Sequence, residues 1–230
     1  MASWLEHWRE SSLEASDRKV TTKSLYSSLC RKHLEGGDIG AKRLDRLKPS
    51  DVEAMIVGLR MKGLADSTVR QVYTVLRQAL DVAVRDGLLA SNPAAKVKRP
   101  GVARREAKYL PSGDVARLLE AARPLRYYVA VLLMATTGLR RGEVCGLSWE
   151  DVDLVAGELR VRRTLSRVTG GLVLDTVKTE RSRRRIPVHS GMVIDCPEGL
   201  AQAAGGGTPR SRRPMDRHRN GVLHAVGIDG

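Results

Sequence analysis

The apolar residues of this chain keep one spacing as far as Thr137 and another beyond Glu158. In the first part they recur at helical intervals, and in the second they alternate. Helices and half-buried strands demand different periods, so neither can stand in for the other. A mainly α fold with a small β-sheet late in the chain is therefore expected. The junction is Thr136-Thr137-Gly138-Leu139-Arg140-Arg141-Gly142-Glu143-Val144-Cys145-Gly146-Leu147-Ser148-Trp149-Glu150-Asp151-Val152-Asp153. It follows an apolar run, Tyr127 to Ala135, that suits a buried helix. Gly138 stops that helix, because glycine takes a left-handed terminal conformation without a Cβ penalty. Arg140 and Arg141 then sit at a rigid turn, with Glu143 near enough to hold an arginine by a charge-assisted pair. Taken alone, such a junction is more readily a structural arginine than a functional one.

Upstream, Trp4 to about Leu34 is expected to be helical, anchored by Trp4, Leu5, Trp8, Leu25 and Leu29 and closed by Gly36-Gly37. Ser50 and Glu53 have capping-box spacing ahead of the stripe Val52, Ile56, Leu59, and Gly63 ends that helix. The strongest helical pattern is Ser67 to Asp86, with Val69, Val72, Leu76, Leu80, Ala83 and Val84 on one face. Arg70, Thr74, Arg77 and Arg85 lie opposite. They make either a row of donors to DNA phosphates and base edges or a solvated face, and the pattern favours neither.

Asn92-Pro93 closes the first domain, since the residue before proline is driven from helical geometry. Lys96, Lys98, Arg99, Arg104 and Arg105 punctuate a basic linker that could follow a DNA backbone, favoured by counterion release. Helices are expected at Gly113–Ala122 and Arg126–Thr137, and strands at Glu158–Leu165, Gly171–Thr176 and Arg184–Val188. A turn dense in positive charge, Val177 to Arg183, separates the last two. From His189 the pattern is lost, and the Gly/Pro/Arg-rich stretch from Ala203 to Pro214 has the composition of disorder.

Forty Lys and Arg against 26 Asp and Glu give a net charge of +14, which points to a polyanionic partner, nucleic acid first. No apolar run approaches the roughly 20 residues of a membrane span. The N-terminus carries no signal-peptide pattern, so a cytoplasmic location is expected. Cys30, Cys145 and Cys196 form no C-x-x-C pair, and no metal or disulfide framework is expected.

From about Trp4 to Val188 the chain resembles the tyrosine recombinases, specifically phage-type integrases. The resemblance is carried by Thr137 to Glu143, by Leu147 to Asp153, and by Lys178-Thr179 followed by Ser182-Arg183-Arg184-Arg185-Ile186-Pro187. It implies a helical core-binding (SAM-like) domain at 1–95, a basic linker at 96–108, and the N-terminal part of an α+β catalytic domain at 109–188. Residues 189–230 would be an off-pattern tail. In that family a tyrosine attacks a DNA phosphodiester with no metal or other cofactor, and guanidinium groups meet the charge gathering on the phosphoryl oxygens. The resemblance makes Arg140 the first catalytic arginine and Lys178 the general acid toward the leaving 5′-oxygen. Arg141 is then a phosphate contact or, equally, an exposed charge, and Glu143 is implied as a buttress. Double-stranded DNA and other recombinase protomers are the implied partners.

The sequence also departs from the family pattern. No His-x-x-Arg box follows Pro187, His218-Arg219-Asn220 lacks its spacing, and the tyrosines Tyr26, Tyr73, Tyr109, Tyr127 and Tyr128 all precede Arg140. Without the nucleophile covalent cleavage has no attacking group. The change of character after Val188 suggests a frameshift and a C-terminally shortened catalytic domain. Three readings follow: a DNA-binding member unable to cleave, a recombinase completed in trans, and a non-functional pseudogene product.

Overall fold

The computed structural model describes residues 1–103, 106–153, 155–177 and 182–188. The chain divides into two compact units, Met1–Ala107 and Lys108–Gly230.

The first unit is all helical. Helices α1 (Ala2–Trp8), α2 (Val20–Leu29), α3 (Asp38–Ala41), α4 (Pro49–Met61) and α5 (Asp66–Arg85) enclose one core. Both α1 and α2 run on into π-helical segments, Arg9–Leu13 and Cys30–Glu35. A half-buried ion pair joins the two segments, Arg9 Nε to Glu35 Oε1 at 2.6 Å. Helix α5 is the central element, burying Val69, Val72, Tyr73, Val75, Leu76, Ala79, Leu80 and Ala83. The positive φ of Gly63 and Gly87 lets the chain leave α4 and α5 by left-handed turns.

Several sequence expectations fail in this unit. The helical stretch expected from Trp4 to Leu34 is broken between Leu13 and Val20. Leu25, expected as an anchor, is exposed, because α2 buries only Leu29. The Ser50–Glu53 capping box does not form. Pro49 starts α4 two residues earlier, and Asp51 is the residue whose carboxylate accepts the Lys48 backbone N–H at 2.9 Å. Proline in the first helical turn loses no hydrogen bond, so it sets the boundary ahead of the serine.

The segment after α5 is held to it. Asn92 caps a short 3-10 turn, Pro93–Lys96, by accepting the Ala94 N–H, and its amide donates to Arg77 O and Asp81 Oδ1. The buried Tyr73 hydroxyl lies within donating distance of Ala94 O (2.8 Å) and Val97 O (3.1 Å). Arg70 Nε donates to Pro100 O at 2.8 Å. The expected linker is thus docked on α5 as far as Pro100, with Val97 inside the core. Linker composition does not reveal this, because one buried valine and a tyrosine hydroxyl suffice to fix a basic strand.

In the second unit α6 (Ser112–Ala122) and α7 (Tyr128–Thr137) pack around Ala122, Tyr128, Val129 and Leu132. The short α8 (Arg141–Cys145) leads to a three-stranded antiparallel sheet and a separate hairpin. The sheet has the order β1 (Val152–Asp153), β2 (Glu158–Val161), β5 (Arg184–Pro187), and the hairpin is β3 (Arg163–Val168) with β4 (Gly171–Thr176). The single strand expected over Glu158–Leu165 is therefore two. Pairing passes from β5 to β4 at Arg162, whose carbonyl accepts the Val177 N–H. A second core, Leu139, Val144, Leu147, Leu159, Val161 and Val177, sits where α8 meets the sheet.

Candidate DNA-phosphate site

Gly138 ends α7 in the left-handed region, φ 67° and ψ 17°, and its N–H bonds to Met134 O. The chain then extends through Arg140 (φ −71°, ψ 150°) and re-enters helix at Arg141. Helix α8 lies almost against β3. A Cβ on Gly142 would sit 2.6 Å from Thr164 Oγ1 and 2.8 Å from Leu165 O, and one on Gly146 would sit 2.9 Å from Arg163 O. Only hydrogen fits at these two positions, one helical turn apart. That close approach fixes where Arg140 emerges.

Glu143 is the hub of the site. It is 4% exposed, and four donors converge on its carboxylate. Oε2 accepts the Arg140 backbone N–H at 3.0 Å, and Oε1 accepts Arg140 Nη1 at 3.1 Å. Arg184, reaching in from β5, donates Nη1 to Oε1 at 3.3 Å and Nη2 to Oε2 at 2.9 Å. Burial pushes the Glu143 carboxyl up, but the Arg184 fork, the Arg140 amide and the Arg140 guanidinium outweigh it and hold it down at about 2. Two guanidinium groups thus share one carboxylate. The Arg140 side chain is 77% exposed while its base is clamped. Its charge is only partly cancelled, and its remaining N–H donors face solvent in a rigid fork that matches phosphate geometry.

A second buried carboxylate supports the junction. Asp151 Oδ2 accepts the Ser148 N–H at 3.1 Å and pairs with Arg163 Nη2 at 2.8 Å. Burial raises this carboxyl, and the Arg163 and Ser148 bonds more than reverse the effect.

Of the other residues expected from sequence, Arg141 is exposed and has no ion-pair partner among the described residues. Arg77 is exposed on α5, but Arg70 is half-buried against Pro100, and the Thr74 hydroxyl donates to Arg70 O at 2.8 Å. Lys96, Lys98 and Arg99 are exposed on the docked segment. Lys178, Arg104 and Arg105 lie outside the described residues, as does the stretch from His189 onward. The part played by Arg184 was not read from sequence. Its signal was the alternation of β5, which puts Arg184 on the inward side with Ile186. The spacing of Gly142 and Gly146 was a second unread signal.

The sequence model of the phage integrase family matches residues 108–194. An XerC-like tyrosine recombinase of Caldanaerobacter subterraneus subsp. tengcongensis is 27% identical over 191 residues, 76% of this chain and 49% of that protein. The integrase of Mycobacterium phage L5 is 30% identical over 195 residues, 83% of this chain and 51% of the integrase. The chain thus spans about half the length of these curated relatives. Among solved structures, the Tn1549 transposon integrase in complex with a circular intermediate DNA superposes with a TM-score of 0.72 at 22% identity, covering 95% of this chain and 69% of that one. Over residues 108–194, the stretch that holds Arg140 and Glu143, the chain thus matches the phage integrase family, and its fold is the one seen in the Tn1549 integrase.

Proposed function

We propose that the chain is a site-specific recombinase relative that binds duplex DNA and, as these 230 residues stand, grips a phosphodiester without cleaving it. The observation that carries the reading is the exposed Arg140 fork clamped by buried Glu143. A guanidinium held in this way loses little entropy on meeting a phosphate. Arg140 is the phosphate-binding arginine, Lys178 the family position for the proton donor, and Arg141 a neighbouring contact. The helical unit adds Arg77 and the docked row Lys96, Lys98 and Arg99, with Arg104 and Arg105 continuing it. Arg70 and Thr74 serve by holding that row and the helix rather than by touching DNA. The +14 charge favours the same polyanion.

Cleavage by the family's chemistry needs a tyrosine beyond the arginine, and no tyrosine follows Tyr128 in this sequence. A nicked suicide duplex, which traps any covalent protein–DNA product, tests both halves. Salt-sensitive binding without an adduct is expected, and Arg140→Gln should weaken that binding. An adduct would overturn the non-cleaving half, and no binding at low salt would overturn the whole reading.

A further inference from the structure

The outward face of the three-stranded sheet holds a second set of arginines. Strand β2 buries Leu159 and Val161 and turns Arg160 the other way; in the antiparallel register Arg160 lies directly opposite Arg185 of β5. Arg162 follows two residues after Arg160, about 7 Å further along at strand rise. Directly opposed like charges disfavour a sheet, so the pairing of Arg160 with Arg185 has a cost, which the carboxylates of Asp153 and Glu158 offset in part. Asp153 stands 3.9 Å from Arg160 and Glu158 3.6 Å from Arg185, with no hydrogen bond in either pair. Asp151 Oδ1 stands 3.4 Å from Arg162 Nε without a hydrogen bond, while its Oδ2 holds Arg163. The Arg160 Nε donor is buried and has no partner among the described residues. Arg160, Arg162 and Arg185, with Arg183, Arg184 and Thr176, line an open groove of about 640 Å³.

We propose that this arginine face, which adjoins the Arg140 site through Arg184, is a second phosphate-binding surface that takes consecutive backbone phosphates of duplex DNA. The proposal rests on the DNA-binding reading above. A row of cations on a strand, open to solvent along its length, suits an extended polyanion. Exposure favours access: the side chains of Arg160, Arg162 and Arg185 are 38%, 51% and 69% exposed. Bound phosphates would also screen the repulsion between Arg160 and Arg185, so binding and folding of the sheet are coupled in the same direction.

The test uses the full 230-residue chain, a labelled short duplex and a salt titration, comparing wild type with the double variant Arg160→Gln, Arg185→Gln. Affinity at low salt should fall about tenfold, and the slope of log K against log salt should shrink by about 1 to 2. The melting temperature of the variant should hold or rise, because opposed like charges have been removed. Wild-type binding with an unchanged affinity and slope in the double variant would overturn the proposal and leave the DNA reading intact. No binding by the wild type would overturn both. If the double variant melts early, the exposed single change Arg185→Gln decides: its slope should shrink by about 1, and an unchanged slope refutes the surface.

Discussion

Replacing Glu143 with glutamine keeps the shape of the hub and removes its charge. In the native unit the carboxyl, ordinarily near 4.5, is held at about 2 by the Arg184 and Arg140 donors. The ionised form is therefore favoured in the folded state by on the order of 3 kcal/mol at neutral pH. Because the folded value is depressed, this contribution is fully present above about 4.5 and is lost as pH falls toward 2. The glutamine side chain would keep one acceptor, turn a donor toward a guanidinium, and leave Arg184 half-buried without its anion. A loss of about 3 kcal/mol at pH 7, confined to the second unit, is expected from Glu143→Gln. Hydrogen exchange read by mass spectrometry separates the two units and reports the Arg140 amide directly, since that N–H ends on Glu143. Exchange across α8 and β5 should accelerate in the variant at pH 7, while α5 is unchanged. The stability gap between the proteins, followed by urea titration, should close as pH approaches 2. Equal stability at pH 7, or a gap as wide near pH 2 as at pH 7, would refute the assigned role of the carboxylate.

Three further outcomes are expected. Gly142→Ala should lower the melting temperature of the second unit by the equivalent of about 1 to 3 kcal/mol, because its Cβ meets Thr164 and Leu165 of β3; calorimetry of the full chain would show it. Tyr73→Phe, which leaves the Ala94 and Val97 carbonyls without their hydroxyl donor, should cost the first unit about 1 to 3 kcal/mol and speed proteolysis near Pro100. In salt titrations of DNA binding, Arg77→Ala should reduce the slope by about 1, whereas Arg70→Lys should act mainly through release of Pro100 and spare the slope.

Much of the second unit's junction was legible residue by residue. A left-handed glycine stop at Gly138, an arginine at the turn and a carboxylate three residues on follow from local rules, and the structure places all three accordingly. The choice of partner for that carboxylate was not legible. Arg184 is 41 residues away, and it reaches Glu143 only because β5 pairs with β2 in a register that turns Arg184 inward. In the first unit, the capping box at Ser50 was outcompeted by Pro49, a local signal of comparable kind and stronger effect. The docking of the basic linker was hidden because composition measures average polarity, whereas burial of Val97 is a single contact.

By itself, then, the sequence determined the order of helices and strands, the family resemblance and the position of Arg140, since these depend on local periodicity, turn chemistry and short motifs. Tertiary structure alone decided which partner each charged side chain meets. It paired Arg184 with Glu143, tied Arg70 to Pro100, and set Arg160 against Arg185. Ion pairing depends on distances between residues far apart in the chain, and those distances exist only once the strands have found their register.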